Sequence, residues 1–248
     1  MRETLYGRQA VRESLRAGRR QSFRLHLAEG VIGAPIVDEI METAKKLRIP
    51  TDRLSRHEMT SVAGTENHQG VALEVSDYPY ASVYDMLELA QEREEPALIL
   101  LLDLIQDVHN LGTLIRAGEA AGVHGIIIQG RRAAGVTPAT VNTSSGAVEH
   151  LLVAQVTNLP RTIEQLKTAE VWIAGLEDIY GAKPYTEIDL RVPLGIVVGS
   201  EGNGLRRLVR ERCDWLVSLP MRGQINSLNA AVAGSIVLYE VLKQRGYV

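Results

Sequence analysis

The sequence predicts an α/β protein: an open parallel sheet with helices on both faces, preceded by a smaller α/β module. Three observations carry this reading. From residue 97 onward, short apolar runs alternate with segments of helical period. These runs are apolar at successive positions rather than at alternate ones, the pattern of strands covered on both faces. A break falls at 76–96, where the turn-rich SDYPYAS gives way to the acidic, helix-period VYDMLELAQEREEP.

Before the break the elements are a helix (Gly7–Ala17), a strand (Phe23–Leu27), a helix (Pro35–Leu47), a short strand, a short helix and a strand (Gly70–Val75). After it the strands are ALILLLD (97–103), GIIIQ (125–129), LLVAQV (151–156), VWIAGL (171–176), LGIVV (194–198) and LVSLP (216–220). Helices are expected at Leu111–Ala121, Pro138–Ser145, Leu159–Ala169, Leu205–Cys213 and Leu228–Gln244. The chain therefore divides into residues 1–77, a linker at 78–96, and a larger domain at 97–248. No internal repeat or low-complexity tract interrupts this order.

Composition narrows the function. Apolar residues make up 45% of the 248, ample for a packed core. The single cysteine, Cys213, excludes a disulfide framework and a cysteine-based zinc site, and it suits a reducing cytoplasm. The N-terminal MRETLYGRQAVRESLR has no apolar stretch of signal-peptide type, and no apolar run is long enough to span a bilayer. A net charge of −3 argues against a protein basic all over. Of 27 basic residues 22 are arginine, the better residue for phosphate contacts, although a GC-rich genome gives the same bias. No His/Asp/Glu cluster has metal-ligand spacing.

Ligands of open parallel sheets sit beyond the carboxyl ends of the strands, and three stretches lie there. In DLIQDVHNLGTLIRAGEAAG (103–122), Asn110 is placed to cap a helix starting at Leu111. Arg116 sits at the edge of the buried stripe, either in a surface ion pair with Glu119 or in a functional role. In VVGSEGNGL (197–205) a strand stops at a glycine loop whose amides can cradle a ligand. Its G-x-x-G-x-G spacing matches neither the dinucleotide fingerprint nor a P-loop. Glu201 inside it disfavours a polyphosphate, or simply favours the next helix N-terminus. In MRGQINSLNAAVAGS (221–235), Ser227 is a plausible N-cap of a helix kept thin by Ala230, Ala231, Ala233, Gly234 and Ser235. Thinness serves close packing on the sheet, or a subunit interface or cofactor at the helix start.

Taken together, HNLGTLIRAGEAAG, VVGSEGNGL and LPMRGQINSLNAAVA resemble, in order and separation, the three motifs of the SpoU/TrmH family of RNA 2′-O-ribose methyltransferases in the SPOUT superfamily. LYGRQAVRESL and NHQGVALEV resemble the start and end of the ribosomal-protein (L30e-like) RNA-binding domain found before the catalytic domain in many members. VTNLPRT (156–162) is similar to the members that methylate a guanosine of 23S ribosomal RNA. The family often has proline two residues before the first-motif asparagine, where this chain has Val108, and bulkier or polar residues where it has Ala230 and Ala231.

The resemblance implies a C-terminal trefoil knot, S-adenosylmethionine bound in it, and a homodimer with the last helix in the interface. It implies catalytic roles for Asn110, Arg116, Glu201, Ser227 and Asn229. It points to cofactor contacts at Leu176, Gly199, Gly202, Leu219, Met221 and Leu228. In the first domain Arg8, Arg12 and Arg16 recur every four residues along one helix stripe, which is either a solvated face or, beside the family resemblance, a phosphate-binding one. His68 either contacts RNA or closes a strand turn. The substrate expected is RNA, most directly 23S ribosomal RNA, with transfer RNA or another ribosomal nucleoside as the alternative. A non-catalytic RNA-binding protein of the same fold and a nucleotide-binding α/β enzyme are the competing readings.

Overall fold

The computed structural model describes residues 2–31, 34–202, 204–225 and 227–247. Its elements run β1 (Arg2–Tyr6), α1 (Arg8–Ala17), β2 (Ser22–Ala28), α2 (Pro35–Lys46), β3 (Thr51–Leu54), α3 (Arg56–Ala63) and β4 (Val71–Ser76). They continue with α4 (Val83–Glu92), β5 (Leu98–Asp103), α5 (Val108–Ala120), β6 (Gly125–Gln129), α6 (Pro138–Thr143), a 3-10 turn (Ala147–His150) and β7 (Val153–Val156). The rest are α7 (Leu159–Thr168), β8 (Trp172–Leu176), β9 (Lys183–Pro184), β10 (Leu194–Gly199), α8 (Arg207–Arg210), β11 (Trp215–Ser218) and α9 (Ala230–Gln244).

Two compact units form: residues 1–79 with 136–150, and residues 80–135 with 151–248. The first holds a mixed four-stranded sheet of order β1-β4-β2-β3. β1 escapes the sequence reading because in RETLY only Leu5 is buried, so the strand lacks an apolar run. The segment 136–150 belongs to this unit, although by chain position it falls inside the larger sequence domain. Its anchors are polar: Glu149 is fully buried and pairs with the buried Arg20 at 2.9 Å, and Tyr78 Oη donates to the Val148 carbonyl at 3.1 Å.

The second unit is a seven-stranded sheet, β7-β6-β5-β10-β8-β11-β9, with every neighbouring pair parallel. Every residue of β5, β6 and β10 is buried, as continuous apolar runs require of central strands. Successive residues face opposite sides. Val197 packs with Met86, Leu159 and Val209 of α4, α7 and α8, whereas Val198 faces Gly234 of α9. Thus the stretch 78–96, read from sequence as a linker, contains a helix that buries Met86 and Ala90 in this core.

The thin face of α9 is used inside the chain. A Cβ at Gly234 would sit 2.7 Å from Leu114 of α5 and 3.1 Å from Val198 of β10. Three helix starts differ from expectation. The cap of α5 is Asp107, accepting from the His109 amide at 3.0 Å, so Asn110 lies within the first turn and is buried. The cap of α9 is Asn229 rather than Ser227. α8 shrinks to Arg207–Arg210: Arg206 is extended (φ −62°, ψ 147°), and the Leu205 and Arg206 amides ahead of the helix donate to Glu177 and Asp103.

Candidate cofactor and active site

The site forms where β8, β10 and β11 end. β10 terminates at Gly199, and a Cβ there would lie 2.3 Å from the Gly204 carbonyl carbon. Only glycine permits this approach, which folds the loop back on itself with Gly204 N–H donating to Ser200 O at 3.0 Å. The loop thereby holds Glu201 outward, exposed to solvent.

α5 and α9 complete the arrangement. Asn229 Oδ1 accepts from the Ala231 and Val232 amides at 2.9 and 3.2 Å, starting α9. Its Nδ2 donates to Asn110 Oδ1 at 2.8 Å and also to Glu201 Oε1. Three residues from three distant motifs thus meet in one hydrogen-bonded cluster.

Beside the cluster lies a cavity of about 510 Å³. All six residues expected at the cofactor, Leu176, Gly199, Gly202, Leu219, Met221 and Leu228, line it. Glu201, Ser227 and Asn229 line it too. Asn110 reaches it through Asn229, while Arg116 is exposed on α5 and is not among the lining residues. The wall includes Glu177, Asp178 and Glu201 and, among the described residues, no Lys or Arg. An acidic cavity of this size repels polyphosphates and favours a small cation with apolar parts. No group of described residues is arranged to hold a metal ion.

Glu177 was missed from sequence. The available signal was its position directly after the strand run VWIAGL, but only the strand order shows that it faces the glycine loop. Burial pushes the Cys213 thiol up to about 12, away from the thiolate form.

In the first unit the arginine stripe is engaged. Arg12 and Arg16 pair with Glu13 at 2.7 and 3.3 Å, Arg16 also with Glu39 at 2.6 Å, and Arg8 Nε donates to the Gln69 carbonyl at 3.1 Å. His68 is buried, and its Nδ1 accepts from the Gly70 amide at 2.9 Å, so it closes the strand turn.

A parallel α/β sheet with a glycine-walled cavity beyond its strand ends has the form of a ligand-binding α/β protein, and comparison with known proteins gives its family. Residues 97–239 match the SpoU rRNA Methylase family, and residues 4–81 match the RNA 2'-O ribose methyltransferase substrate binding domain. YacO of Bacillus subtilis (strain 168), named as a TrmH family tRNA/rRNA methyltransferase, is 40% identical over 96% of this chain and 94% of its own length. The crystal structure of the SpoU methyltransferase AviRb from Streptomyces viridochromogenes, in complex with AdoMet, shares the fold with a TM-score of 0.81 at 23% identity. The match covers 100% of this chain and 92% of that one. A solved RNA 2'-O ribose methyltransferase matches with a TM-score of 0.77 at 25% identity, covering 98% of this chain and 89% of its own.

The chain belongs to the SpoU rRNA methylase family. It is an RNA methyltransferase of that family and uses S-adenosylmethionine as methyl donor.

Proposed function

We propose that the chain methylates the 2′-hydroxyl of a ribose in RNA, and that the target is a guanosine of 23S ribosomal RNA. The observation that carries the reading is the Asn110–Asn229–Glu201 cluster at the acidic 510 Å³ cavity. The RNA 2'-O ribose methyltransferase substrate-binding match over residues 4–81 supports ribose as the acceptor. VTNLPRT supports the guanosine reading, and a transfer RNA target is the alternative outcome of the test.

The donor supplies an electrophilic methyl on a positively charged sulfur, a good leaving group. The protein's tasks are to hold that cation, align the hydroxyl and ease loss of its proton. Glu177, Asp178 and Glu201 give the cavity the charge that suits a sulfonium. Leu176, Leu219 and Leu228 give it apolar walls for a flat ring. Asn229 fixes Glu201 and Asn110 relative to one another, so the polar edge of the site is organised before substrate arrives. Ser227, exposed at the cavity wall, is assigned to the ribose.

Arg116 is assigned to the RNA phosphate and the developing alkoxide. A guanidinium stays protonated, so it stabilises negative charge rather than taking the proton. Arg8, Arg12 and Arg16 are assigned to phosphates of the RNA, with the Gln69 carbonyl and the Glu13 and Glu39 carboxylates exchanged for phosphate on binding. His68, enclosed in its turn, is given no RNA contact in this scheme. The proposal includes an L30e-like fold for the first unit, a trefoil knot through the cavity-forming stretch, a homodimer and a cytoplasmic location.

The test is incubation with S-adenosylmethionine and ribosomal or transfer RNA transcripts, followed by alkaline hydrolysis. A 2′-O-methyl group removes the hydroxyl that attacks the neighbouring phosphate, so one hydrolysis-resistant position in 23S RNA is expected. Methyl groups that leave every linkage labile would place the modification on a base and overturn the ribose assignment.

A further inference from the structure

The foot of the glycine loop is held in an unusual way. Two consecutive amides, Leu205 N–H and Arg206 N–H, point at two carboxylates from two different strands. Leu205 donates to Glu177 Oε2 at 2.7 Å, just past β8, and Arg206 donates to Asp103 Oδ2 at 2.9 Å, at the end of β5. Asp103 is fully buried, and its other oxygen accepts from Arg206 Nε at 2.8 Å. Arg206 then reaches Gln129 Oε1 at 3.2 Å, and the same oxygen accepts from the Leu104 amide at 3.1 Å.

This network joins the two halves of the site. Leu104 opens the turn that leads to Asp107 and α5, which carries Asn110. Arg206 closes the loop that carries Gly199, Glu201 and Gly202. A buried carboxylate is costly unless fully bonded, and Asp103 is bonded by both a backbone amide and a guanidinium. Its position, not catalysis, accounts for it: neither Asp103 nor Arg206 lines the cavity.

We propose that Asp103 and Arg206 are positioning residues that set the cavity-lining loop against α5, so that methyl-donor affinity depends on an ion pair outside the cavity whose carboxylate is buried. Glu177 acts on the adjacent amide but also lines the cavity, so it is a less clean test. The proposal rests on reading the cavity as the donor site.

The experiment measures S-adenosylmethionine binding by calorimetry without RNA, and hydrogen exchange of the 199–206 amides without ligand. Arg206 is 44% exposed, so Arg206→Ala is expected to fold. It should weaken donor binding about tenfold and speed exchange at 199–206, with Arg206→Lys recovering part of both. Asp103→Asn, which keeps the shape but not the charge, should have the same effect or a larger one. A purely structural role would lower the melting temperature while leaving donor affinity and loop exchange of the folded protein at wild-type values, and that result overturns the proposal. Leu228→Arg separates the two claims, because it puts a cation into the acidic cavity. If Leu228→Arg abolishes binding while Arg206→Ala and Asp103→Asn do not change it, the positioning role alone fails. If Leu228→Arg leaves binding intact, the cavity is not the donor site and both fall.

Discussion

Asn229 and Asn110, 119 positions apart in sequence, meet through a hydrogen bond of 2.8 Å from Nδ2 to Oδ1. Every hydrogen-bonding position of the Asn229 side chain is occupied: Nδ2 gives one bond each to Asn110 and Glu201, and Oδ1 accepts two backbone amides. The amide orientation follows from these partners, since a flip would set Oδ1 against the Glu201 carboxylate. Asn229 therefore couples the start of α9 to the polar edge of the site.

The coupling predicts that stability and activity separate at this position. Asn229→Ala loses the helix cap, worth ~1 kcal/mol, and should lower the melting temperature by about 2–4 °C while cutting kcat ~100-fold or more. Asn229→Asp keeps a capping oxygen and should melt close to wild type, yet it places a second carboxylate beside Glu201 and loses both Nδ2 bonds. Its kcat should fall as far as that of the alanine variant. Near-normal turnover by Asn229→Asp, measured with melting curves alongside, would contradict the role given to its amide.

The closure of the glycine loop makes a second prediction. Gly199→Ala sets a methyl 2.3 Å from a backbone carbonyl carbon, where no side-chain rotation relieves it. The loop must open, and S-adenosylmethionine affinity should drop about tenfold or more by calorimetry, as overpacking against backbone costs ~1–3 kcal/mol. Unchanged affinity would mean that this wall of the cavity does not touch the donor.

A third prediction concerns pH. Burial works against the charge on Glu13, but hydrogen bonds from His150 and Arg12 and the charges of Arg12 and Arg16 outweigh it, holding its carboxyl below the ordinary 4.5. A carboxyl lowered in the folded state adds stability above its unfolded value and loses it as pH falls through the folded one. Glu13→Gln should therefore melt below wild type at neutral pH. The difference should shrink as pH drops beneath 4.5, followed by melting curves across an acid series. A gap that stays constant with pH would assign the loss to shape instead of charge.

The arginine stripe makes a fourth. If Arg8, Arg12 and Arg16 exchange their present partners for phosphates, the triple alanine variant should bind RNA more weakly. Its salt dependence should be shallower by about 2–3 in log–log slope, each of the three contacts adding ~0.7–0.9. An unaltered slope in filter-binding titrations would leave Arg12 and Arg16 with only their ion pairs to Glu13 and Glu39, and Arg8 with its bond to the Gln69 carbonyl.

The central strands were legible because their signal is local. GIIIQ is observed as a strand at the bounds expected from sequence, and LGIVV gains one residue, since fully apolar runs bounded by turns have few alternatives. Five of the six cavity residues followed from the second and third motifs of a family resemblance, Leu176 was added from the end of the VWIAGL strand, and one cavity is lined by all six. Capping was legible only to within a few residues. Asp107 competes with Asn110, and Asn229 with Ser227, and the winner is set by backbone geometry that residue type does not specify. The strand order was not legible at all. β10 inserts between β5 and β8, and only this long-range choice makes Asp103 and Glu177 converge on one loop. The helix at 83–92 was seen as a helix but not as core, because its acidic face dominates the sequence while Met86 and Ala90 do the packing.

The most direct measurement is a crystal structure of the chain grown with S-adenosylmethionine. The donor is expected in the cavity between the 199–202 loop and the Leu219–Asn229 stretch, with its sulfonium methyl on the side of Asn110 and Glu201. A donor bound at any other place on the second unit, with that cavity empty, would contradict the account.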